Sequence, residues 1–228
     1  MKKLMVLAVM FLLFTTTSFP QTKETRDVDD FTRVSFAVAG KLVLKQGNTF
    51  SVVLEGDKDL LDLIETTVKN GSLSIKRENW RTRMNEKVTA YVTMPVIEGL
   101  SVSGSGNLVC DGSLECTGLD LNVSGSGLIE LTSLSADEVD ASISGSGTIR
   151  LEGSGADEGT FAISGSGGYI GEEFKFSEFS VSISGSGNCK CNVTGDLVAK
   201  ISGSGGVYYA GNPSVDARVS GSGKVRKF

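Results

Sequence analysis

The chain of 228 residues carries 27 acidic and 22 basic side chains, a net charge of −5, 39% hydrophobic residues and no histidine. An acidic chain is a poor partner for nucleic acid or an anionic membrane surface, and the missing histidine excludes a His-based triad, a His general base and a His-ligated zinc site. Its 29 glycines against 3 prolines mark a structural use of glycine, in a chain with enough apolar residues to bury a core.

Residues 1–20 open with Lys2 and Lys3, run apolar from Leu4 to Phe14 and close with small and polar residues. That order predicts an export signal removed near residues 18 to 21. The apolar run is shorter than the roughly 20 residues of an ordinary membrane span. Lys2 and Lys3 leave with the signal, which takes the net charge from −5 to −7. The first hundred residues hold no cysteine for a lipid anchor, and no later segment is long and apolar enough to cross a bilayer.

Residues 28–95 are expected to form irregular N-terminal coils and a cap. In "FAVAGKLVLKQG", Val38, Leu42 and Leu44 alternate around Ala39-Gly40 and predict a degenerate coil whose corner is two residues shorter than those that follow. "SVVLEG" predicts a strand, "KDLLDLIET" one or two helical turns, and "VKNGSLSIK" a tight hairpin at its Asn-Gly pair. "KVTAYVTMP" predicts a strand ending at Pro95. An atypical end of this kind is what a repeat array needs to cover its core and sheet edge.

From residue 96 to 228 one tetrapeptide dominates. SGSG occurs seven times, starting at Ser103, Ser124, Ser144, Ser164, Ser184, Ser202 and Ser220, at intervals of 18 to 21 residues. A near-constant period of this size signals a repeat architecture. Each copy follows a β-branched residue (Val102, Val123, Ile143, Ile163, Ile183, Ile201, Val219), and stepping back by two gives Leu100, Leu121, Ala141, Phe161, Val181, Ala199 and Ala217. A second alternation follows each copy, at Leu108, Ile129, Ile149, Tyr169, Cys189, Val207 and Val225. Period-2 alternation on both sides predicts strands with one buried face meeting at a corner.

One such period cannot bury its own apolar face, whereas stacked periods can. The expected fold is therefore all-β: a single-stranded β-solenoid, or β-helix, with about 20 residues per coil, SGSG corners and an N-terminal cap containing a short helix. Seven coils at about 4.8 Å would make a rod of about 34 Å. The corner glycines, Gly104, Gly106, Gly125, Gly127, Gly145, Gly147, Gly165, Gly167, Gly185, Gly187, Gly203, Gly205, Gly221 and Gly223, give the chain positive φ or close backbone approach. The serines are expected to stack in ladders whose hydroxyls bond along the axis. Residues 28–228 thus form one domain.

The order "VSFAVAGKLVLKQGNTFSVVLEGDKDLLDLIETTVKNGSLSIK", then "YVTMPVIEGLSVSGSG" and further SGSG coils, resembles the head GIN domain family over residues 28 to 228. The VxxPxIxxLxVSGSG passage carries most of the likeness. The resemblance implies a single-stranded β-helix exported by Gram-negative bacteria, under the family label of auto-transporter adhesins. It supplies no catalytic residues.

Other chemistry is sparse. Asp137-Glu138 and Asp157-Glu158 sit twenty residues apart at one offset from SGSG. Stacked one coil apart they would lie about 5 Å from each other, near the spacing of a retaining glycosidase pair; the other readings are a cation site and a solvated turn copied with the coil. The corners lack the aspartate of a G-G-x-G-x-D calcium turn, so no metal or other cofactor is expected. "KRENWRTRMNEK", residues 76 to 87, gathers five basic residues around Trp80, and is either a polyanion-binding site involving Arg77, Arg81 and Arg83 or a solvated hairpin end. Cys110, Cys189 and Cys191 fall at inward offsets, and Cys110 with Cys116 is the one pair considered for a disulfide, given an oxidising compartment.

The leading functional expectation is an exported, non-enzymatic adhesin-like or binding module in the periplasm or on the cell surface, presenting a repetitive surface to a glycan or a cell-surface protein. The alternatives are a polysaccharide-active enzyme using stacked carboxylates and an envelope scaffold with no ligand.

Overall fold

The repeat folds as its alternation demands, with every SGSG at one corner of a stack of parallel strands. The computed structural model describes residues 22–77 and 88–228. Its elements begin with β1 (Thr22–Arg26), β2 (Arg33–Ala37), β3 (Gly40–Gln46), β4 (Ser51–Gly56), the single-turn helix α1 (Lys58–Leu61), β5 (Ile64–Lys69), β6 (Ser72–Arg77) and β7 (Val88–Met94). The repeat supplies β8 (Gly99–Gly104), β9 (Asn107–Cys110), β10 (Leu114–Gly125), β11 (Leu128–Gly145), β12 (Thr148–Gly165), β13 (Gly168–Gly185), β14 (Asn188–Gly203), β15 (Gly206–Gly211), β16 (Ser214–Gly221) and β17 (Lys224–Lys227).

The seven corners bound six turns. In β11, β12 and β13 the segment between corners is a single strand of 18 residues, so the expected variable return is itself part of the ladder. Register follows the repeat: Ile143 lies on Ile163, Ile163 on Ile183, and Ile183 on Ile201. Where coil lengths differ, the ladder slips, as between Gly171 and Lys175 opposite β14. The slip stays on the return side, leaving the corner in register.

Ile143 and Ile149 are 1% and 0% exposed, while Ser142 between corner columns faces water. The core is a continuous column of such residues. Its widest part is aromatic: Phe161 lies 4.4 Å from Tyr169 and 4.9 Å from Phe179, ring centre to ring centre. Gly159 and Gly171 occupy inward positions beside these rings and make room for them.

The two glycines of a corner do different jobs. Gly145 has φ +113°, a left-handed value that costs other residues strain, and a Cβ there would also meet the Gly125 carbonyl oxygen at 2.6 Å. Gly147 turns inward, where a Cβ would stand 2.3 Å from a methyl of Val123 in the coil before. Backbone bonds stitch the corners together. The Ser126 N–H donates to the Gly104 carbonyl, Ser146 to Gly125 and Ser166 to Gly145, each at 2.8 Å. The expected axial bonding through hydroxyls is replaced by these amides, and the corner hydroxyls of the later coils face water.

The N-terminal cap departs from a simple stack. β2 and β3 lie directly on β8 and β9, with Phe36 on Val102 and Leu42 on Leu108. The degenerate corner is therefore as long as the others, and Phe36, not Val38, is the partner of Val102. Val38 sits within the corner and is itself buried, which extends the apolar alternation by one step and disguises the register. On the far side of β2 and β3 lies a coil formed by β6 and β7, so chain order and stacking order differ. Antiparallel strands close this end, with β5 on β6, β4 on β7 and β1 on β4. The β5–β6 hairpin turns at Asn70 (φ 49°) and Gly71 (φ 71°), the positive pair of a tight Asn-Gly turn. Asp57 caps α1 by accepting from the Asp59 N–H at 3.0 Å.

Candidate functional site: an acidic groove and a serine edge

Two ordered surfaces follow from the stacking. The first is a cleft of about 550 Å³ where the cap meets the repeat, lined by Arg33, Gln46, Glu98, Glu115, Asp120, Glu138 and Asp140 among others. It exists because the Pro95–Glu98 link and the start of β10 diverge around the end of β3. Gln46 holds the two walls: its Nε2 donates to the carbonyls of Pro95 (3.2 Å) and Glu115 (2.9 Å), and its Oε1 accepts from the Glu115 N–H (2.8 Å). Arg33 is ion-paired with Asp120, and Thr32 donates to Glu98 at 2.8 Å. Among the described residues, the lining thus carries one guanidinium and five carboxylates.

The acidic lining continues along the solenoid. Glu138 lies on Glu158, Glu158 on Glu178 and Glu178 on Asp196, in register over four coils. Neighbours in such a column are about 4.8 Å apart. A shallower groove of about 160 Å³ runs beside the last three, between Thr160 and Ser180. The expected stacking of the two Asp-Glu pairs is present, but Asp137, Glu138, Asp157 and Glu158 are all exposed. Among the described residues no cluster of three or more metal-ligating side chains occurs.

The second surface is the corner itself. Ser124, Ser144, Ser164, Ser184 and Ser202 form one exposed row, and Ser126, Ser146, Ser166, Ser186 and Ser204 form another. The edge is uncharged, free of large side chains and backed by bonded backbone.

The remaining expected residues sort plainly. Cys110 and Cys116 are half-buried and free, and Cys189 and Cys191 are fully buried and free. Burial, with Asp111 beside Cys110 and Asp137 beside Cys116, pushes both outer thiols up to about 11. Of the basic run, Lys76 pairs with Glu65 at 3.2 Å, while residues 78–87 lie outside the described residues, as do residues 1–21 with the expected export signal. No helix among the described residues is long and apolar enough to cross a membrane. Sequence reasoning missed Arg33, Gln46, Glu98, Glu115 and Asp120. Their one signal was position: Glu98 stands just before β8, and Asp120 lies within β10 shortly before the second SGSG.

This arrangement of coils and cap has known counterparts. The family model described as "Putative auto-transporter adhesin, head GIN domain" matches residues 30–213. The chain belongs to this family. Among solved structures, a "putative adhesin" from Bacteroides fragilis superposes with a TM-score of 0.87 at 22% identity, covering 92% of this chain and 98% of that one. A "putative adhesin" from Parabacteroides merdae (TM-score 0.74, 23% identity, 91% and 96% covered) shares the fold, as does a "Putative lipid binding protein" from Parabacteroides distasonis (TM-score 0.74, 21% identity, 91% and 96% covered). No curated protein sequence matches the chain.

Proposed function

We propose that this head GIN domain is an exported, non-enzymatic adhesin-type module, and that its serine edge binds an extended glycan. The observation that carries the reading is the in-register, backbone-stitched double row of exposed serine hydroxyls along the corner. A ligand that repeats along its own length can align with a surface that repeats along the solenoid axis, and hydroxyls donate and accept equally well. The edge is rigid before binding, so little ordering cost opposes each weak bond. The family name, and the name of the Bacteroides fragilis neighbour, agree with an adhesive role.

The test is binding to insoluble polysaccharides and to whole bacterial cells, with Ser126→Lys/Ser146→Lys/Ser166→Lys as the variant. Native circular dichroism with lost binding is the expected result. Unchanged binding by the triple variant would remove the corner from consideration. Cells stripped of surface protein should still be bound, and loss of binding there would point to a protein partner instead. Protease shaving of intact producing cells separates locations: digestion without lysis supports display at the surface, and full protection supports the periplasm.

The groove shared by Asp137 and Asp157 favours a second reading, a polysaccharide-active enzyme. Asp137→Asn with Asp157→Asn should leave a glycan panel undigested by native and variant protein alike. Release of sugars by the native chain, lost in the double variant, would favour catalysis.

A further inference from the structure

The two ends of the solenoid are unlike. Antiparallel strands cover the cap end, whereas at the other end β16 pairs with β14 on one side and with no described strand on the other. All eight residues of β16 are exposed. Its inward positions continue columns that are closed one coil earlier: Leu197 and Ile201 are 0% and 3% exposed, but Val215 and Val219 above them are 39% and 43% exposed. An unpaired edge beside an uncovered apolar row is a template for another strand.

The chemistry of β16 names that strand. Ser214-Val215-Asp216-Ala217-Arg218-Val219-Ser220 reads alike in both directions about Ala217, with opposite charges at mirrored places. Two copies laid antiparallel about a two-fold axis at Ala217 set Val215 against Val219, Ser214 against Ser220 and Asp216 against Arg218, each pair occurring twice. Sliding by two residues brings Asp216 against Asp216, or Arg218 against Arg218, which repel. Sliding by one sets Val215 against Arg218 and puts the apolar and polar faces out of step. One register remains.

Within a single chain, Arg218 and Asp216 stand 3.7 Å apart with side chains 75% and 61% exposed, a pair that is easily exchanged for one across an interface. The neighbouring edge strand β17 differs, since three of its four residues are Lys224, Arg226 and Lys227, and it carries no acid. That is a guarded edge.

We propose that the chain forms a two-fold dimer, end to end, through antiparallel pairing of β16 with β16 of a second copy. The test is sedimentation of the full chain across micromolar to millimolar concentration, as native protein, as Asp216→Arg, as Arg218→Asp, as an equal mixture of the two, and as the double exchange. The native chain should dimerise. Each single variant sets like charges against each other and should bind itself about tenfold or more weakly. The mixture should form heterodimers and the double exchange should restore the homodimer, results that a misfolded variant could not give. A native chain that stays monomeric, single variants that dimerise as tightly as native, or a mixture that stays monomeric would each overturn the proposal.

Discussion

A Cβ placed on Gly171 would lie 1.8 Å from the phenol oxygen of Tyr169, so the two residues share one volume inside the solenoid. That hydroxyl is fully buried without a hydrogen-bond partner, and burial pushes its pKa well above the ordinary value, with Cys189 and Cys191 adding to the shift. Removing an unbonded buried hydroxyl relieves a desolvation cost of about 1–3 kcal/mol. Tyr169→Phe is therefore expected to raise the urea midpoint. Gly171→Ala should lower stability by about 1–3 kcal/mol through overpacking, and by somewhat less in the Tyr169→Phe background, since the nearest atom it strikes is then gone while the ring carbon Cζ, at 2.2 Å, remains. Equal costs in both backgrounds would count against the shared volume.

The corner glycines should differ in sensitivity along the stack. Gly104 has φ +83° and open space where a Cβ would stand, so Gly104→Ala pays for the left-handed backbone alone, roughly 1–2 kcal/mol. Gly145→Ala meets the same strain and also the Gly125 carbonyl oxygen at 2.6 Å, and should cost more. Thermal unfolding of the two variants checks the order, and a reversed order would show that corner contact is not what demands glycine.

Much of this was legible in the chain. From Leu100 onward the buried positions are apolar or small, each corner is spelled in the same four letters, and a near-constant period leads to one stacking solution. The cap was legible element by element, in "SVVLEG", the turn of helix and the Asn-Gly hairpin. Its assembly was not, because Val38 prolongs the alternation and because β6 and β7 stack outside β2 and β3 only through pairings made far along the chain. The cleft was hidden for the same reason: Arg33 meets Asp120, and Gln46 meets Glu115, across separations that no local pattern encodes.

The acidic column carries an electrostatic cost. Glu158 stands between Glu138 and Glu178, and like charges directly opposite on neighbouring strands destabilise by about 0.2–1 kcal/mol. Glu158→Gln should raise stability by a similar amount in dilute buffer, and the gain should shrink in high salt as screening replaces it. Urea titrations at two ionic strengths measure it, and a salt-independent change would argue against repulsion.

Alkaline pH should weaken the fold through its outer thiols. Cys110 and Cys116 are raised from 9.0 to about 11, so the folded chain keeps protons that the unfolded chain releases. Their contribution is complete below pH 9 and is lost as pH climbs through 11. Urea midpoints should fall over that window, and Cys110→Ala with Cys116→Ala should flatten the fall. The same shift predicts slow reaction of both thiols with an alkylating reagent near neutral pH.

Each corner amide reaches only the coil before it, as Ser166 reaches Gly145 and Ser222 reaches Gly203. Tension on the C-terminal end of the lone chain therefore falls on one row of bonds at a time. The solenoid is expected to yield as a reel does, one loop after another, each freed loop letting out roughly 60 Å of chain. Force spectroscopy would read this as a train of near-equal steps, and a single rupture would refute it. A solenoid built this way lengthens under pull while the turns behind the break stay wound, so most of the fold outlasts the first bonds it loses.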